Sequence, residues 1–335
     1  MTVNREASGG ETGLAGGAQA PSAGPDATRA EAVKSHKSRH WGEITLFTGP
    51  ALVIFATFVI LPVILAGYVS FFHWDGGGDL GKFVGLENYR DVLHDSVFLK
   101  SMRNNAFIVV MSLVIQGPLA LGVALLMNRK LRFRAAFRTM IFVPYVVSEV
   151  IAGAMWRLIL DQRGILNSAL LQLGIFDKPA DAIGWLSDTK IVMWTLMFVL
   201  TWKYVGLAII LFLAGLQGVP DEVLEAAAID GASWWQVQRR ITIPLLGPTI
   251  RVWMFLSIIG SIQLFDMARL LTNNGAPFDT TYTMAMFVID RAVRMRQYGY
   301  ATAAAVVLFV ISLVAALLFM RFVMRRDNET EGGAV

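Results

Sequence analysis

Long apolar runs alternate with short polar segments along this chain. A continuous apolar helix of about 20 residues spans the hydrocarbon core of a bilayer, which is about 30 Å thick. Runs of this kind that carry few or no Asp, Glu, Lys or Arg cover residues 44–72, 104–127, 139–160, 191–216, 248–270 and 301–320. The pattern therefore predicts an all-α membrane protein with six transmembrane helices.

The composition agrees with this prediction and excludes the soluble classes. The chain is 55% hydrophobic and 16% charged, with a mean hydropathy of +0.55, whereas soluble domains average about 45–50% apolar and about 25% charged residues. A soluble two-domain enzyme, which a length of 335 residues would otherwise suggest, is excluded. Because the chain has no cysteine, thiolate metal sites, thiol nucleophiles and disulfides are excluded as well.

The two ends of the chain differ from its apolar centre. Residues 1–43 are rich in Ala, Gly and Ser, which predicts a disordered tail. The run at 44–72 is nearly twice as long as the apolar region of a signal peptide, about 7–15 residues, so we expect a retained helix. The predicted organisation is a tail at 1–43, a membrane domain at 44–324 and a second tail at 325–335.

The distribution of basic residues predicts the orientation. The loop after the second run has five cations and no acid, Arg129, Lys130, Arg132, Arg134 and Arg138. Cytoplasmic loops carry such an excess of Lys and Arg, so this loop and both termini are predicted to be cytoplasmic, with 73–103 and 162–190 outside. The loop at 271–300 is an exception, because it is placed outside and has three arginines.

The segment 217–247, between the fourth and fifth runs, is too polar for the membrane interior. Pro220 occupies the predicted first helical position, acidic residues follow it, and Gly231 is a plausible left-handed cap. Ser233 and Gln236 have the spacing of a capping box, which predicts a second helix running to Pro244. We expect two short helices at the cytoplasmic surface. An amphipathic helix on lipid is the alternative, but such helices usually carry Lys and Arg on their polar face, and this one is acidic.

Four elements of this segment have a fixed spacing. Glu225-Ala226-Ala227 is followed by Gly231 after three residues and by Ile241-Thr242-Ile243-Pro244 after nine more. This pattern resembles the EAA loop of ABC importer permeases, with Ile243 in place of the usual Leu. The stretches LPVILAGYVSFFHWDG (61–76) and FVGLENYRDVL (83–93) are similar to carbohydrate permeases of the MalF/UgpA type.

The resemblance implies a six-helix permease with the MetI-like fold, in a bacterial cell membrane. Such a subunit passes a sugar, here expected to be a di- or oligosaccharide, by alternating access. The implied partners are a MalG-like second permease, a cytoplasmic ATPase dimer and an extracytoplasmic sugar-binding protein, besides the membrane lipid. The ATPase binds ATP, so no cofactor is expected on this chain. The residues implied in coupling to the ATPase are Glu225, Ala226, Ala227, Ala228, Asp230, Gly231, Ile241 and Pro244.

Neither nucleotide nor metal nor nucleic acid binding is expected on this chain. The stretch 76–82, GGGDLGK, nearly matches a phosphate-binding loop. Phe83 stands where that loop needs a Ser or Thr for Mg²⁺, and no strand precedes it. We interpret the stretch as a glycine-rich turn after the first span, and we expect no catalytic residues.

Polar residues inside the apolar runs are candidates for a substrate path, because they are costly in a membrane. In the fifth run, Ser257, Gly260, Ser261 and Leu264 share one helical face. The resemblance aligns this face, and Lys203, Tyr204 and Gly206 of the fourth run, with the sugar-contacting spans of MalF-type permeases. Glu149 in the third run is a further candidate. The alternatives are that Glu149 and Lys203 pair structurally, and that Ser and Gly only pack helices.

Two other classes of membrane protein compete with the permease hypothesis. A secondary transporter driven by H⁺ or Na⁺ would use Glu149 and Lys203 for ion coupling, and it predicts internal repeats that the sequence does not have. A membrane-embedded enzyme would need a clustered catalytic set, which one Glu and one Lys do not make. Both leave the segment 217–247 without a role.

Overall fold

The computed structural model describes residues 46–128 and 133–324. The predicted tails 1–43 and 325–335, and three of the five loop cations (Arg129, Lys130 and Arg132), lie outside this part of the chain. The chain divides into two compact units after Val63. The described part of the first unit is helical, and the second contains every other element discussed below.

The described residues are mostly helical. The helices are α1 (Leu46–Val69), α2 (Glu87–His94), α3 (Ser96–Met127), α4 (Arg134–Val146), α5 (Glu149–Leu160), α6 (Ile165–Gln172), α7 (Val192–Leu216), α8 (Asp221–Ile229), α9 (Trp234–Leu245), α10 (Gly247–Ile262), α11 (Asp266–Leu271), α12 (Met284–Ile289) and α13 (Tyr298–Val323). A 3₁₀ turn covers Pro179–Asp181, and a π-helical turn, Asp290–Arg294, follows α12. The only strands in this part are β1 (Phe72–His73) and β2 (Lys82–Phe83), paired antiparallel.

Four helices, α1, α3, α7 and α13, are individually long and apolar enough to cross a membrane. Two bent pairs bring the number of candidate spans to six: α4 with Glu149–Gln172, at 95°, and α9 with α10, at 66°. The prediction of a helical membrane protein is therefore correct, within a range of four to six spans.

Two predicted runs are broken rather than continuous. The run 139–160 stops being helical at Val147 and Ser148, whose ψ angles of 135° and 141° are extended. The run 248–270 is interrupted after Ile262, and helix resumes at Asp266. A run with few charged residues indicates membrane depth but not helix continuity, because backbone groups freed at a break can be satisfied by neighbouring side chains.

Three π-helical turns lie immediately before prolines. They cover Ala56–Ile60, Ser112–Gln116 and Gln238–Thr242, and each ends two residues before Pro62, Pro118 or Pro244. Proline has no N–H to donate to the carbonyl four residues earlier, and its ring crowds that carbonyl. In each case that carbonyl is in the middle of the π turn, so local widening of the helix accommodates the proline.

Helix α7 is the most deeply buried of the four long helices. It packs against the C-terminal half of α3, against α4 and against α10. Ala120 and Ala124, one turn apart on α3, are fully buried in the same cluster as Phe212 of α7 and Trp253 of α10. Small side chains at such a contact let membrane helices approach closely. This packing of α3, α7 and α10 positions the helices that line the cavity described below.

The glycine-rich stretch 76–82 is the connection of the β1–β2 hairpin, as predicted from its composition. Three of its glycines, at 76, 78 and 81, have φ between +52° and +88°. Phe72 pairs with Phe83 and His73 with Lys82. The Asn88 amide of α2 donates to the Ser70 and Phe72 carbonyls, at 2.8 and 3.0 Å, and so anchors the hairpin.

Two arginines of the loop 271–300, and Arg269 just before it, form ion pairs with carboxylates. Arg291 pairs with Asp95 at 2.8 Å, while Arg269 and Arg294 lie 3.6 and 3.8 Å from Asp290. The Tyr282 hydroxyl donates to Asp290 at 2.6 Å. Burial and this hydrogen bond raise the pKa of Tyr282 above its ordinary value. Acidic residues contribute little to the positive-inside rule, so these ion pairs do not remove the exception, and the outer location of this loop stays a prediction.

Candidate translocation cavity and coupling loop

A cavity of about 620 Å³ lies between α3, α5, α7 and α10. Its apolar walls include Met197, Leu200 and Leu207 of α7. The side chains that bring polar groups to its lining are Ser112, Gln116, Tyr145, Glu149, Tyr204, Ser257, Ser261, Gln263 and Asp266. An apolar cavity with a few convergent polar groups is the usual form of a small-molecule site.

The predicted face of the fifth run lies on this cavity. Ser257, Gly260 and Ser261 of α10 and Leu264 in the following break all line it. The Ser257 and Ser112 hydroxyl oxygens lie 2.7 Å apart, and the Ser112 hydroxyl donates to the Gln116 amide oxygen at 2.8 Å. A polar chain therefore connects α10 to α3.

Sequence reasoning missed the α3 side of this chain. Ser112 and Gln116 lie within the uncharged run 104–127, and neither is among the predicted candidates for the substrate path. A buried amide in an apolar helix needs a hydrogen-bond partner. Gln116 and the serine four residues before it are therefore a detectable signal of a polar contact at membrane depth.

Two other predicted residues, Glu149 and Tyr204, meet at the cavity wall. The Tyr204 hydroxyl of α7 donates to the Glu149 carboxylate, which belongs to the first residue of α5. The Tyr145 ring packs edge-on against the Tyr204 ring, with centroids 6.3 Å apart. Both aromatic rings and the carboxylate line the cavity.

Lys203, predicted as a donor to a sugar, lies behind the cavity wall. Its side chain is only 3% exposed, and it is not among the residues that line the cavity. Its ammonium donates to the Val147 carbonyl at 2.5 Å and to the Tyr145 carbonyl at 3.3 Å. These carbonyls are left free at the C-terminal end of α4, where a cation is also favoured by the helix dipole. Lys203 thus stabilises the break between α4 and α5.

Gly206, another predicted residue of the substrate path, does not line the cavity. A Cβ atom on Gly206 would lie 2.2 Å from the Ile141 carbonyl oxygen, so this glycine allows the backbones of α7 and α4 to cross. The close approach that the sequence predicted is between two helices.

The polar segment 217–247 folds as the two predicted helices, α8 and α9. Helix α8 begins at Asp221, with Pro220 as its extended N-cap (ψ 131°) rather than its first helical residue. Gly231 has a φ of +73°. Its N–H donates to the Ala228 carbonyl, and the next N–H donates to the Ala227 carbonyl. These two bonds form a Schellman motif, with Asp230 as the C-cap.

Helix α9 begins with the predicted capping box. The Ser233 hydroxyl accepts from the Gln236 N–H at 3.4 Å, and the Gln236 side chain accepts from the Ser233 N–H at 2.7 Å. The π turn ending at Thr242 and the following Pro244 lie near the end of this helix. Pro244 is exposed and Ile241 is half-buried.

The predicted coupling residues of α8 divide between two environments. Glu225, Ala226, Ala228 and Asp230 are exposed, whereas Ala227 is buried. Ala227 therefore packs within its own chain, and the outward surface of α8 consists of the exposed residues. Ile229 is 87% exposed, an unusual position for a large apolar side chain.

Comparison with known families supports the interpretation of this loop. Residues 116–327 match the family described as "Binding-protein-dependent transport system inner membrane component". The chain belongs to this family. It is therefore a multi-pass membrane component of a transport system that works with a binding protein, and not an enzyme. The match includes the cavity helices from Gln116 onward and the whole of α8 and α9.

Two relatives of this permease have assigned transport roles. It is 34% identical to the diacetylchitobiose uptake system permease protein NgcF of Streptomyces coelicolor, over 82% of this chain and 80% of the relative. It is 32% identical to the lactose transport system permease protein LacF of Rhizobium radiobacter, over 85% of this chain and 94% of the relative. Nothing in these comparisons favours the ion-coupled transporter.

The fold of the permease is also found in a solved structure. A chain from a bacterial ABC transporter involved in the import of the acidic polysaccharide alginate superimposes with a TM-score of 0.74. The superposition covers 86% of this permease and 99% of that chain, at 23% sequence identity. The shared architecture is therefore that of an ABC importer subunit.

Proposed function

We propose that this permease is the sugar-translocating membrane subunit of an ATP-driven importer for a di- or oligosaccharide. The observation that carries the proposal is the cavity, whose hydroxyl, amide, carboxylate and aromatic groups match the hydrogen-bonding and stacking surfaces of a sugar. Its volume of about 620 Å³ falls within the range of small-molecule sites, about 300–1,000 Å³. The diacetylchitobiose and lactose permeases among its relatives support this substrate class.

The proposed mechanism is alternating access. A second, MalG-like permease completes the channel, an extracytoplasmic sugar-binding protein delivers the substrate, and a cytoplasmic ATPase dimer binds and hydrolyses ATP. Closure of the ATPase dimer pulls on α8, and this movement opens the cavity to the outside. The exposed residues Glu225, Ala226, Ala228 and Ile229 make the contact, and Gly231 and Asp230 hold the end of α8.

A sharp test of the sugar path uses Tyr204→Ala and Ser257→Leu in the assembled importer. Each removes a hydroxyl from the cavity lining, and Ser257→Leu also narrows it. We expect uptake of sugar to fall about two- to twelvefold, because one hydrogen bond contributes about 0.5–1.5 kcal/mol. ATPase activity stimulated by the binding protein is expected to stay largely intact.

The matched control is Ser312→Leu. Ser312 is a half-buried serine in α13 whose hydroxyl donates only within its own helix, to the Leu308 carbonyl at 2.9 Å. This substitution is expected to leave uptake near the wild-type rate. Normal uptake by both cavity variants would contradict the proposal that the sugar passes through this cavity.

The proposed orientation places both termini, 128–138 and the coupling segment in the cytoplasm, with 73–103 and 162–190 outside. Since the chain has no cysteine, single cysteines test this directly. Asp79→Cys and Asp181→Cys are expected to react with a membrane-impermeant thiol reagent in intact cells, and Arg132→Cys only after permeabilisation. The reverse labelling pattern would invert the topology.

A further inference from the structure

The proposed sugar cavity carries unbalanced negative charge. Glu149 and Asp266 both line it, and no Lys, Arg or His occurs among the described residues that do. Asp266 is exposed and makes no ion pair within the described part of the chain. Glu149 is half-buried and accepts its hydrogen bond from the neutral Tyr204 hydroxyl.

The two cations that neighbour these carboxylates in the fold are engaged elsewhere. The Lys203 ammonium is held against the Val147 and Tyr145 carbonyls, behind the cavity wall. From there it offsets part of the Glu149 charge without presenting a donor to the cavity. The Arg269 guanidinium lies 3.6 Å from Asp290 and over the Phe265 ring, 5.2 Å from its centroid. Neither cation therefore forms an ion pair with Asp266 at the lining.

The walls around these carboxylates are mainly hydrocarbon. Clefts with walls of low dielectric constant focus the field of charges of one sign and change the local concentration of charged solutes by about 10- to 1,000-fold. A sugar in this cavity is expected to experience that field at close range.

We propose that Glu149 and Asp266 make this permease select its substrate by charge. Neutral and amine-bearing sugars enter the cavity, and sugars that carry uronic acid groups are repelled. The inference rests on the proposed function only for the statement that the solute is a sugar. The negative potential of the cavity is measurable without knowing the substrate.

The potential is measured with a thiol placed in the cavity. Gly260→Cys suits this purpose, because Gly260 lines the cavity and a Cβ there meets nothing within 4 Å. In membrane vesicles with the assembled importer, the thiol is reacted with methanethiosulfonates of similar size bearing a trimethylammonium or a sulfonate group. Mass spectrometry of this chain counts the adducts. The control is Ala180→Cys, at an exposed position flanked by Asp177, Lys178 and Asp181, with Arg163 lining the same surface pocket, so that two acids and two bases lie nearby.

The expected result is a cation-to-anion rate ratio at Gly260→Cys about tenfold above that at Ala180→Cys. Adding Glu149→Gln and Asp266→Asn together is expected to bring the two ratios within about twofold, because both substitutions keep the side-chain shape and remove the charge. Equal ratios at Gly260→Cys and Ala180→Cys with both carboxylates present would overturn the inference and leave the proposed function standing.

A second arm connects the potential to sugars. Cellobiose, its amine analogue chitobiose and its acid analogue cellobiouronic acid are compared as protectants of Gly260→Cys against an uncharged methanethiosulfonate. Protection by the first two sugars and not by the acid, with the difference lost in the Glu149→Gln, Asp266→Asn variant, is the expected result. Equal protection by all three would overturn charge selection, and protection by none, with the reagent ratio intact, would count against the proposed sugar function instead.

Discussion

The coupling segment and the cavity are built from contacts of different range. In α8 and α9, the side-chain and backbone bonds that set the geometry join residues three to five positions apart, as in the Ser233–Gln236 capping box and the Ala232 N–H bond to Ala227. At the cavity, the bonds between different helices join residues 55 to 145 positions apart, as in Tyr204–Glu149 and Ser112–Ser257. The coupling segment thus keeps its shape by itself, whereas the cavity exists only when several helices are assembled.

This contrast suits the two tasks. A part that transmits force to another protein must resist local bending, and caps at both helix ends provide that resistance. A part that must admit and release a solute benefits from bonds between helices, because these bonds open when the helices move. Substitutions in the two regions are therefore expected to fail in different ways.

The largest effect is expected at the glycine between the two coupling helices. Gly231→Val places a β-branched side chain at a φ of +73°, at a cost of about 1–3 kcal/mol, although no neighbouring atom lies within 4 Å of the new Cβ. We expect Gly231→Val to abolish transport and to weaken co-purification of the ATPase, with membrane insertion unchanged. Gly231→Asn is the control, because Asn tolerates the left-handed region, and it is expected to retain most of the transport. Full transport by Gly231→Val would contradict the proposal that the segment 217–247 couples the permease to the ATPase.

A smaller loss is expected at the break between α4 and α5. Lys203→Met keeps the length of the side chain and leaves the Val147 and Tyr145 carbonyls without their donor, which costs about 1–3 kcal/mol. We expect a lower midpoint of thermal unfolding in detergent, with the sugar KM of the assembled importer unchanged. A raised KM at unchanged thermal stability would instead return Lys203 to the substrate path.

The smallest effect is expected at the start of α9. Ser233→Ala removes the hydroxyl that caps this helix, a loss of about 1 kcal/mol, but the Gln236 side chain still accepts from the backbone at 233. We expect a modest decrease in transport, and Ser233→Asp, which restores a cap, should recover it. An effect of Ser233→Ala on uptake as strong as that of Tyr204→Ala would contradict the view that local bonds alone set the shape of the coupling segment.

The ranges of these contacts also explain which features the sequence predicts. The glycine turn and the capping box are local motifs, so Gly231, Ser233 and Gln236 can be predicted from the sequence without knowledge of the fold. The face of α10 that carries Ser257 follows from helical periodicity. Ser112 and Gln116 indicate that α3 makes a polar contact, but they do not identify Ser257 as the partner, because it lies 145 positions away.

Two further features were beyond prediction for a different reason. The partners of Lys203 are backbone carbonyls, which every residue possesses, so the sequence offered only Glu149 or a separate subunit as its counterpart. The break at Val147 and Ser148 lies in an apolar stretch whose composition is the same in a straight helix. Only the packing of α7 against α4 determines it.

Lys203 and Tyr204 are consecutive residues of α7, and they form hydrogen bonds on opposite sides of the break at Val147 and Ser148. The first holds the last turn of α4, and the second holds the first residue of α5. Adjacent residues of α7 therefore hold both sides of the break between α4 and α5. The two contacts differ in accessibility, since Lys203 is buried and Tyr204 lines the cavity. A solute that competes for the Tyr204 hydroxyl is therefore expected to release the first residue of α5, while the Lys203 contacts at the end of α4 remain.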